Sequence, residues 1–592
     1  MIRGVMSYEN PPSDRNSSAS LPQSVMIDNA WKTIWQTRPD LRRLCNDDPA
    51  ELACWLALNG PREYEVLNTV PFPPPFHVLF RLSPLARPDV TPPLTQFLHY
   101  LWRSRPDVQQ VFPIETREGQ QGFVWWYFFH GVAELDIARL VTPEQRDLLN
   151  EPDPALPQDT GSPITRLMVE LWRRHPDLQT AFPLATSEGR NAYPDWFRLH
   201  GDEVAGLGNL VDAPKAPAIR PAGKPLADGV NLIGFARGEL GIGEEVRMAA
   251  LSLRAAGIPC SIYNVDPGPQ VCQNDHSADA LITQARPYST NLFCMPGIDM
   301  ARLIAQQGSF LLEARRNIGM WPWELPEWPE AWHHAYDLID ELWAASRYTY
   351  DAFARSCPKP VRHVPSAVTV DTTEGAGRTS FGLPEGRFLF SFSFDALSSF
   401  ARKNPMACVK AFKAAFPRGD EPVGLVVKAM RAPSDDPTWQ TLLAQAARDR
   451  RIHVISETLT KARVLDLYRA CDCFVSLHRA EGFGRGIAEA MMLGKPVIVT
   501  GYSGNLDFTT LATAALVDYR WAVLTAEDYP FGAGQSWAEP DVEHAAWWMR
   551  TLLAKPDIRS RFARLGQISA AQAYSPASVG AEYAAKLGRR FR

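Results

Sequence analysis

From residue 230 onward the chain alternates short apolar runs with longer amphipathic stretches. Apolar runs at 230–235, 261–264, 291–295, 317–320 and 341–344 have strand length, and a second series follows at 388–394, 423–428, 452–455, 474–477 and 496–500. Between them lie stretches of helical periodicity: one runs to Ala256 and is stopped by Gly257, one begins at Pro405, and one spans 485–493 and is stopped by Gly494 and Pro496. Strands separated by helices are the pattern of a parallel, doubly wound sheet. The two series predict two α/β lobes, 229–378 and 379–592. A last helix is predicted from Pro576.

The N-terminal third follows a different rule. Residues 1–25 are rich in Ser, Asn and Pro without periodicity, which predicts disorder. Residues 26–211 repeat: IWQTRPDLRRL, LWRSRPDVQQV and LWRRHPDLQTA place Pro-Asp at 39, 106 and 176, periods of 67 and 70 residues. Each copy reads as a helix, a Pro-Asp turn, a short apolar element and a Trp-bearing helix closed by a glycine. Stacked repeats of this kind complete a core that a single copy cannot close, and they suit a platform for a protein partner or for docking an acceptor. His130 and His200 hold equivalent places before the closing glycine; Asn59 stands there in the first copy, so they read as helix ends rather than catalytic groups. Residues 212–228, DAPKAPAIRPAGKPLAD, read as a Pro/Ala linker.

Composition narrows the functional classes. At 592 residues the chain holds several domains, and a net charge of −5 gives no general attraction for nucleic acid. Nine scattered cysteines without CxxC predict reduced thiols rather than a zinc site or disulfides. With no apolar signal core and no transmembrane-length run, the expectation is a cytoplasmic protein. The basic tail GRRFR leaves open a peripheral contact with anionic headgroups at the inner membrane, although a solvated end is the simpler reading.

Candidate chemistry concentrates in 474–508, FVSLHRAEGFGRGIAEAMMLGKPVIVTGYSGNLDF: strand, glycine-bearing turn, helix, strand. Gly482 and Gly484, with Phe483 between them, let backbone amides approach an anion at a helix N-terminus. Glu489, one turn into that helix, suits a ribose diol. Lys403, in ARKNP, and Lys428, at the end of the 423–428 run, suit a diphosphate, with Arg402 as a neighbour. Gly241 and Gly243 mark a second glycine turn, at the first strand of the first lobe, although the full G-x-G-x-x-G is absent. The Trp/Pro cluster 321–332 cannot be a regular helix and is predicted as an ordered strand-end loop. Its rings suit packing or sugar stacking, and Glu324 within it is a further cleft candidate.

Glu481 and Glu489, separated by seven residues inside this context, resemble the nucleotide-binding signature of glycosyltransferase family 4, retaining enzymes of the GT-B fold. The resemblance implies two facing Rossmann-like lobes, a nucleotide diphospho-sugar donor held mainly by the second lobe, Glu489 on the donor ribose and Glu481 beside the transferred sugar. It also implies an Arg and a Lys on the diphosphate. The family's usual Gly-Arg is replaced by Phe394-Asp395, which leaves the second cation open between Arg402 and the lysines. The 456–458 loop would face the nucleobase, Gly241 and Gly243 the interdomain cleft, and the final helix would cross back to the first lobe. No Asp-x-Asp occurs, so a metal-independent hexosyl transfer is expected, with no metal site and no cofactor beyond the donor substrate. A glycan or lipid-linked glycan acceptor in surface polysaccharide or lipopolysaccharide synthesis follows by analogy. A GT-B-like epimerase, or a non-catalytic nucleotide-sugar-binding protein acting through its repeats, remains an alternative, because fold does not fix function; a phosphorylase would show a cofactor lysine, which the sequence does not.

Overall fold

The computed structural model describes residues 21–68, 76–157, 162–205, 226–370 and 375–588. The chain forms two compact units. One comprises 21–224 with 302–311, the other 225–301 and 312–592, each over its described residues. The linker expected at 212–228 lies outside the described residues up to 225, as do residues 1–20 of the expected disordered terminus and the tail 589–592.

The larger unit contains two six-stranded parallel sheets. The first is ordered β2-β1-β3-β4-β5-β6, with β1 Ala227–Gly234, β2 Cys260–Asn264, β3 Tyr288–Cys294, β4 Arg316–Met320, β5 Glu341–Ala344 and β6 Val361–His363. The second is ordered β12-β11-β10-β7-β8-β9, with β7 Phe388–Asp395, β8 Val423–Met430, β9 Ile452–Ile455, β10 Cys473–Ser476, β11 Val497–Thr500 and β12 Ala515–Val517. This is the two-lobed GT-B arrangement of Rossmann-like sheets. The strand order of the second sheet reverses between β7 and β10, which opens a crevice at the carboxyl ends of those strands. β8 continues two residues beyond Lys428, so that lysine sits inside the strand rather than at its end. Gly241 and Gly243 likewise form the first turn of the helix Gly241–Ala255 rather than the loop before it.

Buried side chains fix the register. Asn231, Asn291 and Asn317 lie opposite one another on β1, β3 and β4. Asn231 Nδ2 donates to Asn291 Oδ1 and Asn291 Nδ2 to Asn317 Oδ1, each at 2.9 Å. A one-residue slip would break both bonds and turn the apolar residues out of the core. In the second lobe Phe390, Phe392 and Phe394 line one face of β7, within a core that also takes in Val423, Leu425 and Val427 of β8. A hairpin, β13 Tyr519–Val523 and β14 Ser536–Pro540, follows β12 and has no counterpart among the expected strands.

After the helix Pro556–Tyr574 the chain turns at Ser575, and the helix Pro576–Lys586 packs into the first lobe as expected. Val579, Tyr583 and Ala584 enter that core, and the Tyr583 ring meets Trp343 at 5.0 Å.

The smaller unit is helical. Its first helix, Gln23–Thr37, begins inside the stretch expected to be disordered, because Met26, Ile27, Ala30 and Ile34 form a buried stripe. Pro39, Pro106 and Pro176 each open a short helix rather than a turn, with the Asp that follows in its first turn. In the second and third copies Trp102 and Trp172 donate to the carbonyls of Phe112 and Phe182, both at 2.8 Å. The helices do not end at Gly131 or Gly201. The first continues to Glu134 and the second to Ala205, and the rings of Trp126 and Phe197 cover the two glycines.

Tyr583→Ala, measured by denaturant unfolding, is expected to cost the larger unit about 3–5 kcal/mol. A loss under ~1 kcal/mol would contradict docking of the terminal helix into the first core.

Candidate functional site

Strand ends of both lobes converge on a cleft with two adjoining chambers, about 360 Å³ and about 460 Å³. Leu240, Gly241, Ser393, Asp395, Arg485 and Gly486 line both. Glu324, Arg402, Lys403, Glu481, Gly482, Phe483 and Gly484 line the smaller chamber. Lys428, Lys461 and Glu489 line the larger. Every expected site residue except Gly243 therefore borders the cleft; the space left by the missing Cβ of Gly243 is taken by the Gly238 carbonyl.

The loop between β10 and the helix Arg485–Met492 is held from both sides. His478 Nδ1 bonds to the Ser476 hydroxyl and its Nε2 lies 3.0 Å from Asn505 Oδ1, and burial lowers the pKa of this imidazole. The Ser503 hydroxyl accepts from the Glu481 amide at 2.8 Å. A Cβ on Gly482 would sit 2.5 Å from the Trp323 carbonyl, so the absence of a side chain lets the first lobe close against this loop. Gly484 has φ +95° and starts the helix that carries Glu489. Phe483 packs against Phe508 and Tyr574.

Glu481 is buried and doubly paired. Lys403 Nζ lies 2.5 Å from Oε1 and Arg402 Nη1 3.2 Å from Oε2. Arg402 also donates to the Ala480 carbonyl at 2.9 Å and lies 3.7 Å from Glu324. Burial alone would raise the Glu481 carboxyl; Lys403, Arg402 and His478 hold it instead at about 2. Burial lowers the Lys403 ammonium, and Glu481 works against that fall. Glu324 is in the cleft: its Oε2 accepts from the Tyr529 hydroxyl at 2.5 Å.

Lys428 is 4% exposed, and its ammonium makes no hydrogen bond or ion pair among the described residues. Burial pushes its ammonium down to about 8, with Asp395 acting against the fall and Arg431 adding to it. Arg431, just past β8, is a further cation on the smaller chamber; it forks onto Asp395, the residue that replaces the Gly-Arg pattern. Glu489 is 3% exposed and ion-paired with Lys461. The rings of Trp321, Trp323 and Trp328 pack on one another and are buried, so the Trp/Pro loop is mainly a packed unit, with Trp321 and Trp323 bordering the smaller chamber. Ser456, Glu457 and Thr458 are exposed, and the next residues, Leu459 and Thr460, border the larger chamber. His130 and His200 belong to the helical unit and are exposed.

Sequence reasoning missed Lys461, Arg485, Glu244, Glu245, Asp395, Arg431 and Tyr529. Arg485 Nη2 meets Glu245 Oε2 at 2.5 Å across the cleft, between residues 240 apart in sequence. Arg485, directly after Gly484, was the one legible signal; the others become site residues only through contacts that the fold creates.

A two-lobed α/β protein with an interlobe cleft, one chamber of which is bordered by the buried residues Glu489 and Lys428, is the class these features define. Residues 402–518, all within the second lobe, match the family model described as Glycosyl transferases group 1. No curated protein matches the chain in sequence. Among solved structures the chain is similar to Anabaena Alr3699/HepE in complex with UDP and glucose, at 15% identity over 61% of this chain and 100% of that one, TM-score 0.44. It is also similar to sucrose-phosphate synthase from Thermosynechococcus elongatus, at 15% identity over 61% and 98%, TM-score 0.46. A glycosyltransferase from Rickettsia africae is similar at 12% identity over 61% and 97%, TM-score 0.46.

Glu481→Gln leaves Lys403 buried without its counter-charge and Arg402 with Glu324 alone, and is expected to destabilise the protein by about 3–5 kcal/mol at neutral pH. The folded carboxyl lies below its ordinary value, so its stabilisation is complete above pH ~5 and is lost as pH falls toward 2. Denaturant titrations across that window should show a smaller acid-induced loss in the variant than in the wild type. Equal losses would contradict the pairing.

Proposed function

We propose that the protein transfers a sugar from a nucleotide diphospho-sugar to a hydroxyl of a glycan acceptor, free or lipid-linked, in surface polysaccharide synthesis. The observation that carries this reading is the larger chamber, where the buried carboxylate of Glu489 and the unpaired buried ammonium of Lys428 face one space. A carboxylate accepts from the two hydroxyls of a ribose. A desolvated ammonium without a partner favours an anion, and a diphosphate supplies one next to the ribose.

In the transfer the bond from the anomeric carbon to the β-phosphate oxygen breaks as the acceptor oxygen bonds to that carbon. The acceptor proton leaves with the nucleoside diphosphate. Departure and attack on one face retain the anomeric configuration, as the family 4 resemblance implies. Negative charge grows on the leaving diphosphate, where Lys428, the remaining Lys403 protons, the amides at 484–486 and the helix N-terminus oppose it in place of a metal ion. Glu481, kept ionised by Lys403 and Arg402, stands beside the transferred sugar, and Glu324, which accepts from the Tyr529 hydroxyl, lines the same chamber. Contacts across the cleft exclude water: the Ser346 hydroxyl donates to the Gly482 carbonyl at 2.5 Å and the hydroxyls of Tyr348 and Tyr502 meet at 3.1 Å.

Thermal unfolding with UDP, GDP, ADP and dTDP tests the reading. One nucleotide at 100 times its dissociation constant should stabilise by about 2.7 kcal/mol, and Glu489→Ala should remove the shift. No shift with any of the four would contradict it.

Because Lys428 is charged below about pH 8 and neutral above it, a bound diphosphate, which favours the charged form, should bind about tenfold more weakly at pH 9 than at pH 7. Calorimetric titration should show this fall in the wild type and not in Lys428→Arg. A flat wild-type profile would place the diphosphate away from Lys428.

A further inference from the structure

Lys461 opens the helix Lys461–Ala470 of the second lobe, behind the N-cap Thr460. Its ammonium is ion-paired with Glu489 and lies 3.5 Å from Glu244 Oε1, on the first turn of the first-lobe helix Gly241–Ala255. Glu244 is itself gripped by Arg247 at 2.9 and 3.1 Å. Burial alone would raise the Glu244 carboxyl, and Lys461, Arg485 and Arg247 hold it at about 2. The next residue, Glu245, takes Arg485, the first residue of the helix that carries Glu489. Two consecutive glutamates of one lobe thus hold the two cations of the other lobe that flank Glu489.

A cation beside a buried carboxylate such as Glu489 compensates its loss of water and fixes its orientation toward a hydrogen-bonding ligand. An ammonium has three protons, enough to serve Glu489 and Glu244 together. We propose that Lys461 is a positioning residue of the donor site: clamped by Glu244, it holds the Glu489 carboxylate in place as the ribose acceptor and so couples nucleotide binding to apposition of the two lobes. This rests on the nucleotide reading of the chamber and adds a residue pair to it. Glu244 influences the nucleotide through Lys461, although it belongs to the other lobe.

The test is a double-mutant cycle on the dissociation constant of the preferred nucleoside diphosphate, measured by calorimetry for the wild type, Glu244→Gln, Lys461→Met and the double variant. Each single change should weaken binding about tenfold, and the double variant should be no weaker than the worse single variant. Lys461→Arg, which keeps the charge, should bind within about threefold of the wild type, a rescue that a merely structural role for the lysine stem would not produce. Additive losses of about a hundredfold, or a Glu244→Gln variant that binds like the wild type, would overturn the coupling while leaving the nucleotide site standing. A wild type that binds no nucleotide would overturn both.

Discussion

Two carboxylates that lie almost entirely out of water, Glu481 and Glu489, govern how this cleft is built. A buried charge must find a counter-charge or neutralise itself. Here each finds cations: Lys403 and Arg402 for Glu481, Lys461 for Glu489. Two of those cations, and Arg485 at the start of the Glu489 helix, also meet carboxylates of the first lobe: Glu324 meets Arg402, Glu244 meets Lys461 and Glu245 meets Arg485. Charge compensation around two residues therefore also draws the two lobes together. Lys428 stands outside this system: it is buried to a similar degree, yet no carboxylate pairs with it among the described residues. A buried cation without an ion-pair partner among the described residues is a place where an anionic ligand would complete the balance.

The backbone makes that arrangement possible. Reversal of strand order between β7 and β10 opens the crevice, and the missing Cβ of Gly482 lets the Trp323 carbonyl approach within contact of the loop that presents Glu481. Packing of Tyr583 into the first core ties the last helix to the first lobe, so the cleft walls are joined by two successive helices that meet at Ser575 as well as by ion pairs.

Much of the fold was legible because both sheets are buried on both faces and their strands read as plain apolar runs. β5 and β9 lie where the sequence placed them, and most other strands of the two series begin or end within three residues of the expected bounds. β6 and β12 were not legible, being three residues each. The hairpin of β13 and β14 was not legible either, because its strands flank a loop with Pro530, Gly532 and Gly534 and its outer residues Trp521 and Val523 are exposed, leaving no clear alternation. In the site, the residues on the local strand–turn–helix unit were picked out by the glycine turn before a helix together with the resemblance to the family 4 signature. Lys461 and Glu244 were not, since neither carries a sequence mark and each gains its place only from a partner in the opposite lobe.

The most direct measurement is release of nucleoside diphosphate from a panel of UDP-, GDP-, ADP- and dTDP-sugars, by the wild type and by Lys428→Met, with and without a glycan acceptor pool. The account predicts release from one nucleotide class, stimulated by acceptor and reduced at least about a hundredfold in the variant, the loss of one strong electrostatic contact to the leaving group. Release that is unchanged by the substitution, or no release from any donor, would contradict it.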